Sequence, residues 1–207
     1  MTPRPDVSQE RQEQILNAAE KVFSERGFSG ARMDDIVEEA GLSKGALYWY
    51  YKSKDAIILA LLDRVFAREL KAAERLVEAP GPAGERLKIF MKLTLEEIAR
   101  LGRLLPLGYE FLALASRRKP VRLWVAGYYR GYRDLLIQIL QQGVESGEFI
   151  ELNVEQAAMH IIALGEGLAL LRFIAPDMVD IKRLGDAPME ALLNGFRART
   201  TQPAQAR

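Results

Sequence analysis

The sequence predicts an all-α protein, with a small N-terminal head of three helices and a larger helical domain behind it. Three observations predict this. Apolar residues recur at helical spacing in nearly every segment, and no convincing strand-like alternation bounded by turns is found. Gly27, Gly41, the run Ala79-Pro80-Gly81-Pro82, and Pro106, Pro120, Pro176 and Pro188 cut the chain into helix-length pieces. Finally, 207 residues that are 49% hydrophobic are enough to bury a substantial core, as one large domain or two small ones.

The first helix is expected from about Ser8 to Arg26, with Ile15, Ala18, Ala19, Val22 and Phe23 on one face. Gly27 suits the position just past its end, after which Phe28 can fold back onto the core. A short second helix puts Met33, Ile36, Val37 and Ala40 on one side and Asp34 and Asp35 in its first turn, where the helix dipole favours them. Gly41-Leu42 makes a tight turn. Ser43 can cap a third helix and Ser53 a fourth, which runs from about Lys54 to Val77. Further helices are expected over Gly84–Leu101, Leu104–Arg117, Val121–Ser146, Val154–Ile174 and Ala187–Arg199. The head is assigned residues 8–53 and the second domain residues 54–199. Residues 1–7 and 200–207 are read as mobile tails.

Composition excludes several classes. There is no Cys and one His, His160, so disulfides and zinc sites built from Cys or several His are ruled out. A net charge of +1 gives no global pull toward nucleic acid or membrane, so any such binding needs a local patch. The N-terminal MTPRPDVSQERQEQ has no apolar core and is not read as a secretory signal. Ala157 to Leu171, broken by His160 and Glu166, is read as too short to span a bilayer. No GxSxG, P-loop, HExxH or Cys-His pair suggests an enzyme, and no cofactor is expected.

One stretch combines aromatic rings and positive charge without acids: SKGALYWYYKSK, Ser43 to Lys54. On a helix, Leu47 and Tyr51 share the face assigned to the core, Lys44 and Tyr48 share another, and Ala46 and Tyr50 a third. The outward surface would then be Lys, Gly, Ala and two tyrosines. Two readings stand at this point. The rings cap the core on a short solvated helix, or the helix enters a DNA major groove, with small residues allowing close approach and hydroxyls and ammoniums bonding phosphates.

The run ILNAAEKVFSERGF followed by MDDIVEEAGLSKGALYWYYKSKDAII, within about Glu10 to Leu62, resembles the DNA-binding module of the tetracycline-repressor (TetR) family of bacterial regulators. The resemblance implies a cytoplasmic, ligand-responsive repressor. Such a protein binds a palindromic double-stranded operator as a homodimer and is released by a small, largely apolar or aromatic effector. By position, Lys44, Gly45, Ala46, Tyr48, Tyr50 and Lys54 resemble DNA-contacting residues, with Tyr48, Tyr50 and Lys54 on phosphates and the others on base edges. Ser43 joins this set. Arg32 departs from the pattern: it stands where the family usually caps the second helix with Ser or Thr, at a cost of ~1 kcal/mol, and is read either as a contact to a phosphate or guanine or as a merely solvated side chain. Tyr51 replaces a more usual Phe.

Beyond the head, AAMHIIALGEGLALLRFI is apolar on nearly every side, and Gly165 and Gly167 would let two helices approach closely. With Leu168, Leu171, Leu192 and Phe196 these residues are the expected face of a twofold four-helix bundle; a buried helix in a monomeric core is the alternative. Phe90, Met91, Tyr109, Glu110, Phe111, Trp124, Tyr128, Tyr132 and His160 are the candidates for an effector cavity, with plain core packing as the rival reading. A ligand there would tilt the fourth helix. No membrane partner is expected. A ligand-storage protein without a DNA role is the competing function.

Overall fold

The computed structural model describes residues 7–101 and 105–197, so residues 1–6 of the first expected tail, the whole of the second and the last part of the final expected helix lie outside the described residues, while Val7, assigned to the first tail, opens a helix. Ten helices occur among the described residues: α1 (Val7–Gly30), α2 (Met33–Ala40), α3 (Lys44–Tyr50), α4 (Lys54–Glu78), α5 (Ala83–Leu101), α6 (Leu105–Ala115), α7 (Lys119–Glu145), α8 (Val154–Ile174), α9 (Ile181–Leu184) and α10 (Ala187–Phe196). The expected all-α class holds, and the four-residue α9 is an element the sequence did not suggest. The chain divides into two compact units, Met1–Arg68 with Leu101–Tyr128, and Glu69–Arg100 with Tyr129–Arg207.

The first unit is built on α1. Ile15, Ala19, Val22 and Phe23 are buried as the helical spacing predicts, and Ile36, Leu47, Ile57 and Ile58 close over them. Gly27 has φ +68°, a conformation that ends the regular part of α1 and that side chains rarely adopt. The chain turns there and drives Phe28 into the core, 5.5 Å from Phe23 and 6.2 Å from Phe111 between ring centroids. Gly41, also left-handed, ends α2, with its own N–H on the Glu38 carbonyl and that of Leu42 on the Val37 carbonyl. Arg64 of α4 binds Glu13, Asn17 and Glu20 of α1.

The second unit centres on Leu87, Met91, Leu136, Ile139 and Leu140, which are fully buried. Gly143 is required by close approach: a Cβ there would lie 2.3 Å from the Phe149 ring. Glu148 accepts the Ala83 and Gly84 amides at 2.6 and 2.9 Å and so caps α5 from a distant part of the chain. The buried Arg86 donates to the Leu76 and Val77 carbonyls, the last turn of α4, and to Gln142 Oε1. A cation suits that end of a helix.

By length and composition alone, α8 is long and apolar enough to cross a bilayer. The sequence reading judged it too short because it counted only Ala157 to Leu171.

Candidate nucleic-acid interface

The local sequence sets the starts of α2, α3 and α4 in the first unit. At α3, Ser43 takes extended backbone and its Oγ accepts the Ala46 amide at 3.2 Å. At α4, Ser53 Oγ accepts the Ala56 amide at the same distance. At α2, Arg32 is the cap residue and supplies no capping oxygen, as expected; Asp35 supplies the other half of a capping box by accepting the Arg32 amide at 2.7 Å. The Arg32 side chain is exposed and makes no hydrogen bond or ion pair among the described residues.

Helix α3 is seven residues long and is held from below by Leu47, which is 0% exposed. Tyr51 follows it half-buried, and burial, then the nearby Glu13 charge, push its hydroxyl pKa up. Lys44 and Gly45 are exposed, Tyr48 is 39% exposed and Trp49 77%. Tyr50 is half-buried and packs against the core, so the surface differs from the sequence expectation, which put Tyr50 outward and left Trp49 unassigned. The helical wheel explains both. At 3.6 residues per turn, Trp49 lies about 200° from Leu47, while Tyr50 returns to within about 60° of it.

Charge on this face differs from expectation too. The sequence reading gave Lys44 no acidic neighbour, but the fold brings Asp34 of α2 to 2.8 Å. The hydrogen bond that Lys44 donates to Asp34, and then the Asp34 charge, raise the Lys44 pKa. Lys52 Nζ donates to the Tyr48 carbonyl in the last turn of α3. Lys54 is turned inward. Its ammonium donates to the Phe28 and Ala31 carbonyls and sits 4.4 Å from the Phe28 ring centroid. Burial, then the neighbouring Arg118 charge, lower its pKa. From α6, Glu110 accepts the Phe28 and Ser29 amides at 3.0 and 3.3 Å, so the turn after Gly27 is clamped on two sides.

Several helical glycines, Gly108, Gly127, Gly167 and Gly195 among them, have room for a side chain, and Gly45 is the one that lies on α3. A Cβ there would meet only Ser43 Oγ, at 4.0 Å, and Gly in a helix costs ~1 kcal/mol relative to Ala. Nothing among the described residues requires that position to lack a side chain.

The effector candidates divide between the units. Tyr109, Glu110, Phe111, Trp124 and Tyr128 lie in the first; Phe90, Met91, Tyr132 and His160 lie in the second. Phe111 is buried against Phe28, and Phe90, Met91 and Tyr132 are buried in the second core, with Phe90 and Tyr132 5.4 Å apart. His160 is exposed. Trp124 and Tyr128 stack at 5.7 Å and 7°, and Phe66 of α4, which the sequence did not single out, lies 5.7 and 4.7 Å from them. All three are half-buried, and the Trp124 indole N–H bonds Asp63. Among the expected interface residues, Gly165 is buried and faces Thr94 of its own chain; Gly167, Leu168, Leu192 and Phe196 are half-buried, and Leu171 is exposed.

Comparison with known proteins fits this architecture. Residues 15–61 match the family model "Bacterial regulatory proteins, tetR family", and residues 83–197 match "BetI-type transcriptional repressor, C-terminal". The HTH-type transcriptional regulator TtgR of Pseudomonas putida is 30% identical over 189 residues, covering 87% of this chain and 88% of the relative. A transcriptional regulator of Pseudomonas aeruginosa PAO1 superposes with a TM-score of 0.81 at 26% identity, covering 92% of each chain. FadR of Bacillus subtilis, solved with stearoyl-CoA, has the same fold, with a TM-score of 0.77 at 24% identity over 89% of this chain and 99% of that one. The chain therefore belongs to the TetR family of bacterial regulatory proteins and is a DNA-binding transcriptional regulator.

Proposed function

We propose that the protein is a cytoplasmic repressor that binds a palindromic operator as a homodimer, laying α3 in the major groove, and that a small, largely apolar or aromatic effector releases it. Lys44, Gly45 and Ala46 meet base edges, and Arg32, Ser43 and Tyr48 hold backbone phosphates. Trp49 joins them as the outermost ring of the helix. Tyr50 and Lys54 support the surface from its edge, Lys54 by fixing the turn that leads into α2.

The observation that carries this reading is Gly45. A helix with one buried residue pays for an exposed glycine that its own fold does not use, which suits a surface that another backbone must approach closely. The test is Gly45→Leu. Helicity and melting temperature should hold or rise, because the site is open, while retention on operator DNA is lost. A variant that binds DNA as well as the parent would sink the groove placement.

The aromatic cluster of Phe66, Trp124 and Tyr128 supports an effector wall in the first unit. Phe66 and Lys54 lie on the same helix, about 18 Å apart along its axis at 1.5 Å per residue. An aromatic guest against Phe66 would thus act on the rod that braces the α1–α2 turn. DNA and effector then disfavour each other by one coupling energy, typically ~1–3 kcal/mol. Operator titrations with and without apolar aromatic compounds measure it.

The exposed apolar side chains of α8 support a second copy as its cover. A twofold pair presents two heads to two half-sites about one helical turn of DNA, ~34 Å, apart.

A further inference from the structure

Between Glu110 and Asp134 the chain has six Arg or Lys residues and no Asp or Glu. Four of these cations, Arg117, Arg118, Lys119 and Arg122, lie at the corner between α6 and α7, and all are exposed. One is anchored: Arg118 Nη1 donates to both carboxylate oxygens of Asp55, at 3.0 and 2.8 Å, and its guanidinium lies 5.7 Å from the Phe28 ring centroid. The side chains of Arg117, Lys119 and Arg122 make no hydrogen bond or ion pair among the described residues.

The anchor fixes where the corner sits. Asp55 is the second residue of α4, two positions past the Ser53 cap. Phe28 also contacts the Lys54 ammonium, which holds the Ala31 carbonyl just before the start of α2. The corner therefore abuts the beginnings of both helices that flank α3 in sequence, all within the first unit. Arg117 and Arg118 follow the C-terminus of α6, where the helix dipole favours cations. Helix stability does not account for Lys119 and Arg122, in the first turn of α7, which holds no acid and where a cation is disfavoured by roughly 0.3–1 kcal/mol.

We propose that this corner is a second, sequence-independent part of the DNA interface, with Arg118 as the anchor and Arg117 and Lys119 as the groups that touch backbone phosphates beside the groove that α3 enters. The inference rests on the DNA-binding reading of α3. The occupant is duplex DNA because the patch is continuous with the α2 and α4 starts through Asp55 and Phe28.

The experiment compares Arg117→Gln with Lys119→Gln, Lys44→Ala with Tyr48→Ala, and the parent, all as full-length protein. Each is titrated from low to moderate salt against two labelled duplexes: one enriched by selection from random-sequence DNA, the other a mixed-sequence duplex of equal length. The glutamine pair should lower the slope of log affinity against log salt by about 2, at about 0.9 per lost phosphate contact, and weaken both duplexes by the same factor. Both residues are exposed, so the melting temperature should not move, and exchanging them as Arg117→Lys with Lys119→Arg should restore the slope. An unchanged slope for the glutamine pair, beside lost selectivity for the alanine pair, overturns the corner and leaves α3 as the reader. No effect of either pair overturns both readings.

Discussion

Helices α3 and α8 both show large side chains to solvent, but they are built in opposite ways. Helix α3 has seven residues, one buried leucine, and an outer face of Lys44, Gly45, Tyr48 and Trp49. Each ring or ammonium on that face has a polar or quadrupolar end that can meet water or phosphate. Helix α8 has 21 residues, five of them buried, and its exposed side includes Met159, Leu170, Leu171, Phe173 and Ile174. Those hydrocarbon groups gain nothing from water and offer no hydrogen bond. The difference separates two kinds of surface. A helix for nucleic acid can stand in water unpartnered; a helix that continues to show leucine and isoleucine is asking for another apolar face.

The largest expected effect breaks the α8 side of this contrast. Replacing Leu171 and Ile174 with Glu should weaken self-association by at least about a hundredfold, since two buried apolar side chains are worth ~1.5–3 kcal/mol each. Sedimentation velocity reads the result. Unchanged sedimentation would mean that α8 is covered by something other than a second copy through these residues.

Next comes the α3 side. Leu47→Ala truncates the one buried residue of α3 and should cost ~2–5 kcal/mol in chemical denaturation, with DNA binding lost alongside. A loss well below 1 kcal/mol would show that the Tyr50 and Tyr51 rings carry the helix instead.

A smaller effect is expected from Glu110→Ala, which frees two amides next to the head at ~1–3 kcal/mol. Amide exchange at Phe28 and Ser29 should accelerate, and DNA affinity should fall without any contact residue changing. Slow exchange at both amides would rule out the clamp.

The smallest effect tunes α8. Crowding by the protein around Glu166 raises its pKa above the ordinary 4.5, and a hydrogen bond from Tyr129 opposes the rise. The folded state therefore holds this proton more tightly than the unfolded chain, and stability falls as pH climbs from 4.5 through the folded value. Glu166→Gln should flatten that part of the pH profile and melt slightly higher at neutral pH, with the difference gone below pH 4.5. Its size is small because the residue is exposed.

How much of this the sequence disclosed follows the range of the interactions. Ser43, Ser53, Gly27 and Gly41 were readable because each acts within four residues of itself, through a cap or a left-handed turn. Tyr50 is expected outward and Trp49 has no assigned side although the signal is present, since an angular count from Leu47 separates them. Asp34 beside Lys44 was out of reach of local spacing, being ten residues away across a turn. Glu110 with Phe28 and Arg118 with Asp55 are 82 and 63 residues apart, and only packing brings them together. The pattern suggested an aromatic cavity lined by nine residues; five of those belong to one unit and four to the other, and Phe66 was missed because its partners lie on a different helix.

The chain has two tryptophans, and the fold has put them in very different surroundings. Trp49 stands in solvent at the outer edge of α3, while Trp124 is stacked on Tyr128 and bonded to Asp63. Removing either one leaves a protein with a single tryptophan. One such variant would glow differently as nucleic acid arrives, the other as an aromatic guest does, so the molecule carries its own two-colour gauge without any added dye.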